Sequence, residues 1–266
     1  VKYLKILRVS LVERLVYRAD FFFATIFRFL PLITTFLLWN AVYASAKERE
    51  LSGFTLETMT AYLLLVQISR MFSSMPGLAS GLARDIRDGN LKKYLLQPID
   101  LIAYLLAYRG AHKMAYIATS ALPYAILFFF FREVFPGWPD LGTFLLYTLS
   151  LLLSFLIGFF FELCVGLAGF WLLEVSSFIY IIGTLNFFVS GHMFPLDLLD
   201  PRVVAVLKYL PFQYLAYFPA MVFLRLKTGA ELLEGLAIEA CWALALLLAA
   251  KYLYRRGLSH YSAYGG

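Results

Sequence analysis

Residues 144–163 read FLLYTLSLLLSFLIGFFFEL. A hydrocarbon core about 30 Å thick needs about 20 apolar residues in helical form. This run supplies them with a single charge, Glu162, near its end. Its apolar residues do not alternate with polar ones. A transmembrane strand has to alternate, so a closed barrel is excluded and a spanning helix is read here. Comparable runs recur on both sides. The chain of 266 residues is 62% hydrophobic and only 15% charged, against roughly 25% for soluble domains. The fold class is therefore all-α integral membrane, as a single transmembrane domain over 1–266. No length remains for a sizeable soluble domain beside the spans.

Extended to its natural limits, the opening run is a fourth span over 141–166. Upstream, a first span covers 21–44 and is interrupted by Arg28 and Pro31. A second covers 56–80 and contains Arg70. A third runs from 99 to 131, and its first third, with Arg109, His112 and Lys113, is expected to project below the hydrocarbon. Downstream, a tight connection around GFWLLEVSS (169–177) leads to a fifth span ending near Ser190. A sixth covers 231–254. Residues 191–224 are apolar but carry Pro195, Pro201, Pro211 and Pro219, so short outer re-entrant helices are predicted there. A full crossing by that segment would make seven spans. Residues 1–20 place Leu4, Leu7, Leu11 and Leu15 at helical spacing with Lys2 and Lys5 opposite. That pattern predicts an interfacial helix on the inner leaflet.

The net charge of +6 is accounted for by the positive-inside rule without invoking nucleic acid. With both termini inside, segments 1–20, 82–98 and 251–266 carry twelve Lys and Arg. Segments 45–55, 132–140 and 191–230 carry seven. The bias favours six spans with both ends cytoplasmic. The first apolar run follows about 20 charged, helix-like residues without a small-residue cleavage site, so no secretory signal is read.

Residues 82–100, LARDIRDGNLKKYLLQPID, form a charged island between the second and third spans. Arg84, Asp85, Arg87 and Asp88 are expected to continue the second span as a helix. Gly89 suits a helix stop, and Asn90 suits the cap of a second short helix. That helix would set Leu91, Tyr94 and Leu95 on one side, and Pro98 would end it. Two readings are open on these residues alone. One is a solvated inner loop; the other is a stiff hairpin whose apolar ridge docks a soluble partner.

Charges inside a membrane should face a partner or a water-filled path. Arg70, Glu162 and Asn186 are therefore candidates for a substrate route or for structural pairs. Glu174, near the turn to the fifth span, is expected in the cytosol as a second, smaller docking point. The aromatic clusters Phe21–Phe23, Phe128–Phe131 and Phe159–Phe161 suit a hydrophobic cargo or lipid-facing packing equally. No H-E-x-x-H, C-x-x-C or G-x-S-x-G occurs, and the histidines His112, His192 and His260 are far apart. Hydrolytic and metal chemistry find no support. Cys164 and Cys241 lie in apolar runs and read as packed thiols.

The run DIRDGNLKKYLLQPID, with Gly89, Leu91, Leu95, Leu96 and Pro98, resembles the cytosolic loop of type-2 ATP-binding-cassette exporter permeases. SGHMFPLDLLDP followed by LPFQYLAYFP resembles that family's outer re-entrant segment, and the basic N-terminal helix its interfacial elbow. The ending YRRGLSHYSAYGG is similar to one subgroup. The resemblance covers essentially the whole chain. It implies a permease in a prokaryotic plasma membrane that pairs with a second permease, the same chain or a sibling. It also implies two ATPase subunits below, docked through residues 84–98, and an amphipathic or hydrophobic cargo. No G-x-x-x-x-G-K-[ST] is present, so ATP and Mg²⁺ belong to the partner ATPase and no cofactor is expected on this chain. Two rivals are an integral-membrane lipid-modifying enzyme and a stand-alone ion-coupled transporter. The first needs ionisable residues gathered at one depth. The second needs paired broken helices, and the sequence suggests one broken region, 191–224.

Overall fold

The computed structural model describes residues 2–16, 18–45, 50–135, 137–172 and 174–261, and the side chains of residues 14–26 and 28 lie outside that description. Among the described residues there is no strand, only helices and turns. The α-helices are α1 (Lys2–Val16), α2 (Arg18–Ser45), α3 (Leu56–Ser73), α4 (Leu78–Arg87), α5 (Lys92–Leu95), α6 (Leu101–Phe130), α7 (Leu141–Leu167), α8 (Ser176–Val189), α9 (Pro201–Leu207), α10 (Tyr217–Phe223) and α11 (Gly229–Leu258). Leu101–Phe130, Leu141–Phe170 and Gly229–Leu258 are long and apolar enough to cross a membrane. At 1.5 Å per residue each is about 45 Å long, more than the hydrocarbon thickness. The chain is an all-helical integral membrane protein.

Local chemistry sets several helix starts. Thr55 caps α3 by accepting from the Thr58 N–H at 3.2 Å. Asp100 caps α6 through the Ala103 N–H at 2.7 Å. Asp140 caps α7 through Thr143 and also pairs with Arg225 at 3.1 Å. The Thr143 hydrogen bonds hold the Asp140 carboxyl below its ordinary range, with Arg225 adding to the effect. Each cap satisfies an otherwise orphaned N–H of a first turn.

α7 is the centre of the molecule. It packs against α11, α4, α3 and α10, and its inward side is a row of small and apolar residues including Ser150, Ser154, Gly158 and Leu163. α10 is buried throughout and lies against α3 and α7. The broken 191–224 region expected from its prolines is thus short helical pieces, the last of them buried in the protein. Tyr62 of α3 ties its entry by donating to the Gly191 carbonyl at 2.5 Å. Gly191 has φ +80°, and a Cβ there would strike the Tyr62 hydroxyl and Tyr217. Tyr217 in turn donates to Asp197 at 2.8 Å.

At the N-terminus Leu7 and Leu11 are half-buried and Leu4 is 70% exposed. α1 docks along α6, with the Lys2 ammonium on the Pro98 carbonyl at 2.6 Å and the Tyr3 hydroxyl accepting from the Asp100 N–H at 3.0 Å. Leu15 of that pattern, and Arg28 of the first span, lie outside the described side chains. One expectation needs correction, the reading of 56–80 as one span. The helix stops at Ser73, the chain runs extended through Ser74, and α4 starts after Gly77 with φ +74°.

Candidate functional site

α4 and α5 with the turn between them make the hairpin. Gly89 does stop the first helix, in the left-handed region at φ +70°, where only glycine is free of a steric penalty. The turn is closed by the Leu91 N–H on the Asp85 carbonyl at 3.0 Å. Asp85 also receives the Lys93 ammonium at 3.0 Å. Burial works against the charge of Lys93, and the Asp85 hydrogen bond outweighs it, so the ammonium sits above its ordinary pKa. Asn90 does not cap the second helix. Leu91 already has helical angles and precedes α5, which is a single turn of four residues.

The expected apolar ridge is split by this geometry. Leu91 is fully buried in a cluster with Met75, Leu78, Leu82, Ile86 and Leu101. Tyr94 is half-buried, Leu95 is exposed, and Leu96 is 85% exposed. Arg84, Arg87, Asp88, Asn90 and Pro98 are exposed as well, whereas Asp85 is half-buried. The sequence reading missed Leu96 as the outward side chain because a one-turn helix followed by Pro98 does not keep helical spacing. Glu174 comes to the same end of the molecule and shares a cleft of about 90 Å³ with Arg84 and Arg87. The Ser176 hydroxyl and N–H hold the Glu174 carboxyl below its ordinary range, and Arg87 adds to this.

The interruption at 74–77 exposes the carbonyls ending α3 and the N–H groups starting α4. Three of these carbonyls find partners on a neighbouring helix. The Lys113 ammonium of α6, 7% exposed, donates to the Met71 carbonyl at 2.6 Å and to that of Ser74. Arg109 donates to the Pro76 carbonyl at 2.9 Å. The Glu162 carboxyl group of α7 lies beside the Ala79 N–H in the first turn of α4, with Arg109 acting on it electrostatically. Cations thus sit at the C-terminal end and an anion at the N-terminal end, as the partial charges of helix termini require. Hydrogen bonds to charged groups contribute about 1.5–3 kcal/mol each. The sequence signal was present in Lys113 and Arg109, but nothing local says that a lysine 40 positions away caps a helix.

Beside this interruption lies a cavity of about 470 Å³. α3 contributes Gln67 and Arg70, α7 Phe161 and Glu162, α8 Asn186 and Phe187. Arg70, Glu162 and Asn186, far apart in sequence, therefore line one space. Arg70 lies 5.9 Å from the Phe187 ring centroid, which stacks on His192. His192 Nδ1 is bonded to Ser190 Oγ, which also reaches the Asn186 carbonyl. Ser190 is fully buried, so this pair presents no nucleophile to the cavity. Among the described residues no three His, Cys, Asp or Glu side chains gather to hold a metal.

One buried carboxylate escaped the sequence reading. Glu239 of α11 is fully buried and accepts from Ser150 of α7 at 2.9 Å. Glu239 follows Glu231 and Glu234 in the first half of a long apolar helix and reads with them as close to the interface, and only the packing of α11 on α7 buries it.

The family model described as "ABC-2 family transporter protein" matches residues 29–265. A search of the curated proteins finds no match to the chain.

Proposed function

Since this chain belongs to the ABC-2 transporter family, and hence is a membrane permease, we propose that it forms the substrate path of an ATP-driven exporter. A separate ATPase subunit, which binds ATP and Mg²⁺, docks on the hairpin 84–98 and on Glu174. The observation that carries this reading is one of layout: α4 joins the hairpin at one end to the cavity wall at the other. Met75 and Leu78 belong to the apolar cluster that buries Leu91, and Met75, Pro76 and Gly77 line the cavity with Glu162. Movement of the hairpin is then movement of the wall. Arg70, Glu162 and Asn186 are assigned to the path, six spans to the chain, and a cytoplasmic position to both termini and the hairpin, in a prokaryotic plasma membrane.

A second permease, the same chain or a sibling, is assigned to α8. No residue of that helix is buried, and Phe178, Tyr180, Ile181, Leu185 and Phe188 are exposed along it. At 14 residues it is about 21 Å long, and the cavity opens beside it.

The test uses the cavity itself. Gly183 lies on the wall, and a Cβ there meets nothing within 4 Å. In a chain with Cys164 and Cys241 replaced by Ser, Gly183→Cys is reconstituted with the ATPase and treated with a water-soluble maleimide. Labelling is expected to differ by about fivefold or more between nucleotide-free and ATP–vanadate states, as two states with different exposure require. Equal rates in both states, with the ATPase bound, would remove the assignment of the path.

A further inference from the structure

The interruption between α3 and α4 is both the root of the hairpin and a wall of the cavity. Its ends are held from outside the helix: Lys113 and Arg109 hold the carbonyls of Met71, Ser74 and Pro76, and Glu162 lies beside the Ala79 N–H. α7 fixes the flanks through glycines, since Cβ atoms at Gly158 and Gly166 would run into the backbones of Ser73 and Ala79. An unclasped break of this kind would let α4 tilt without moving α3. Clasped, α4 cannot tilt without pulling on α6 and α7, which line the cavity through Tyr116, Tyr124, Phe161 and Glu162.

We infer that Lys113, Arg109 and Glu162 are positioning residues of the transport cycle, clasping an interrupted helix so that hairpin movement reaches the cavity. This rests on the permease reading above. The clasp carries force and does not touch cargo through Lys113, which is buried against backbone. Its signature is therefore uncoupling: the hairpin still moves with nucleotide and the cavity no longer follows.

The experiment uses the full complex with its ATPase in nanodiscs and two spin-label pairs, in the chain with Cys164 and Cys241 replaced. One pair, Gly81→Cys with Gly110→Cys, reports α4 below the break; both sites have open space for a side chain. The other, Gly183→Cys on the cavity wall with Ala118→Cys of α6, reports the separation of α8 from α6 across the cavity side. In the otherwise unaltered protein both distances are expected to shift between nucleotide-free and ATP–vanadate states. In Lys113→Met the first shift persists and the second falls by about threefold or more. Lys113→Arg, which keeps the charge and the donors, restores it. A cavity shift of full size in Lys113→Met overturns the inference. So does loss of both shifts together, because the clasp would then merely support the hairpin, and so does failure of Lys113→Arg to restore the second shift. Should Lys113→Met not insert, Glu162→Gln must show the same split, and a full cavity shift there is equally fatal. If neither pair moves in the unaltered complex, the coupling reading itself fails and this inference falls with it.

Discussion

Leu96→Asp is expected to leave the protein inserted and folded and to strip the ATPase from it in co-purification. Leu91→Asp, five positions earlier, is expected to unfold the hairpin instead. The two leucines differ in one physical respect. Leu91 is fully buried in the cluster that joins α4 to α6, whereas Leu96 is 85% exposed beyond the end of α5. Replacing a buried leucine by a charge loses its packing and leaves a carboxylate without a partner, a cost of about 3 kcal/mol or more. An exposed site away from caps and cores changes stability by about 0.5 kcal/mol or less. An apolar anchor in a partner's groove is worth about 2 kcal/mol or more, roughly a thirtyfold loss of affinity. Thermal unfolding of the isolated permease separates the two cases. Leu96→Asp keeps the unfolding temperature and loses the ATPase; Leu91→Asp loses both. Retention of the ATPase by Leu96→Asp would remove the hairpin tip from the interface.

What the sequence made legible follows from how local each cause is. The long spans over 99–131, 141–166 and 231–254 are set by runs of apolar residues and appear as α6, α7 and α11 within a few residues. The stop at Gly89 is set by one residue's backbone freedom and appears at φ +70°. The single helix expected over 56–80 failed because Ser74, Pro76 and Gly77 were outweighed by the apolar residues around them. Their helix-breaking effect is decisive only where something else takes the freed carbonyls, and Lys113 and Arg109 are more than 30 residues away. The reading of Leu91 as outward failed for a related reason. Spacing within a single turn does not say which side faces the protein. The convergence of Arg70, Glu162 and Asn186 on one cavity was not legible at all, since it depends on how three helices pack.

The interruption at 74–77 also bears on the stand-alone ion-coupled transporter, which needs paired broken helices whose carbonyls are open to an ion. Among the described residues, 74–77 and 191–216 are broken regions. The carbonyls of the first are taken by an ammonium and a guanidinium fixed to α6. Carbonyls held in this way are not open to a transported ion.

Gly158→Ala is expected to lower the apparent unfolding temperature by about 5 °C or more, and Gly158→Leu to prevent assembly of the helices altogether. A Cβ at this position of α7 would lie inside the Ser73 carbonyl at the end of α3. The listener in this contact is backbone, not a side chain that can swing away, so one of two long helices has to move. Overpacking of this kind costs about 1–3 kcal/mol and sometimes more, and for a chain of this size each kcal/mol is worth about 2–4 °C. Close backbone approach through small residues also supplies much of the packing energy between membrane helices, which water does not drive together. Gly110→Ala is the control. It lies in a helix as long as α7, a Cβ there meets nothing within 4 Å, and alanine is the better helix former by about 0.8–1 kcal/mol. The two alanines should therefore shift the unfolding temperature in opposite directions, measured side by side in one detergent. Equal shifts would mean that α7 and α3 do not meet at Gly158, and the wall of the cavity would lose its footing.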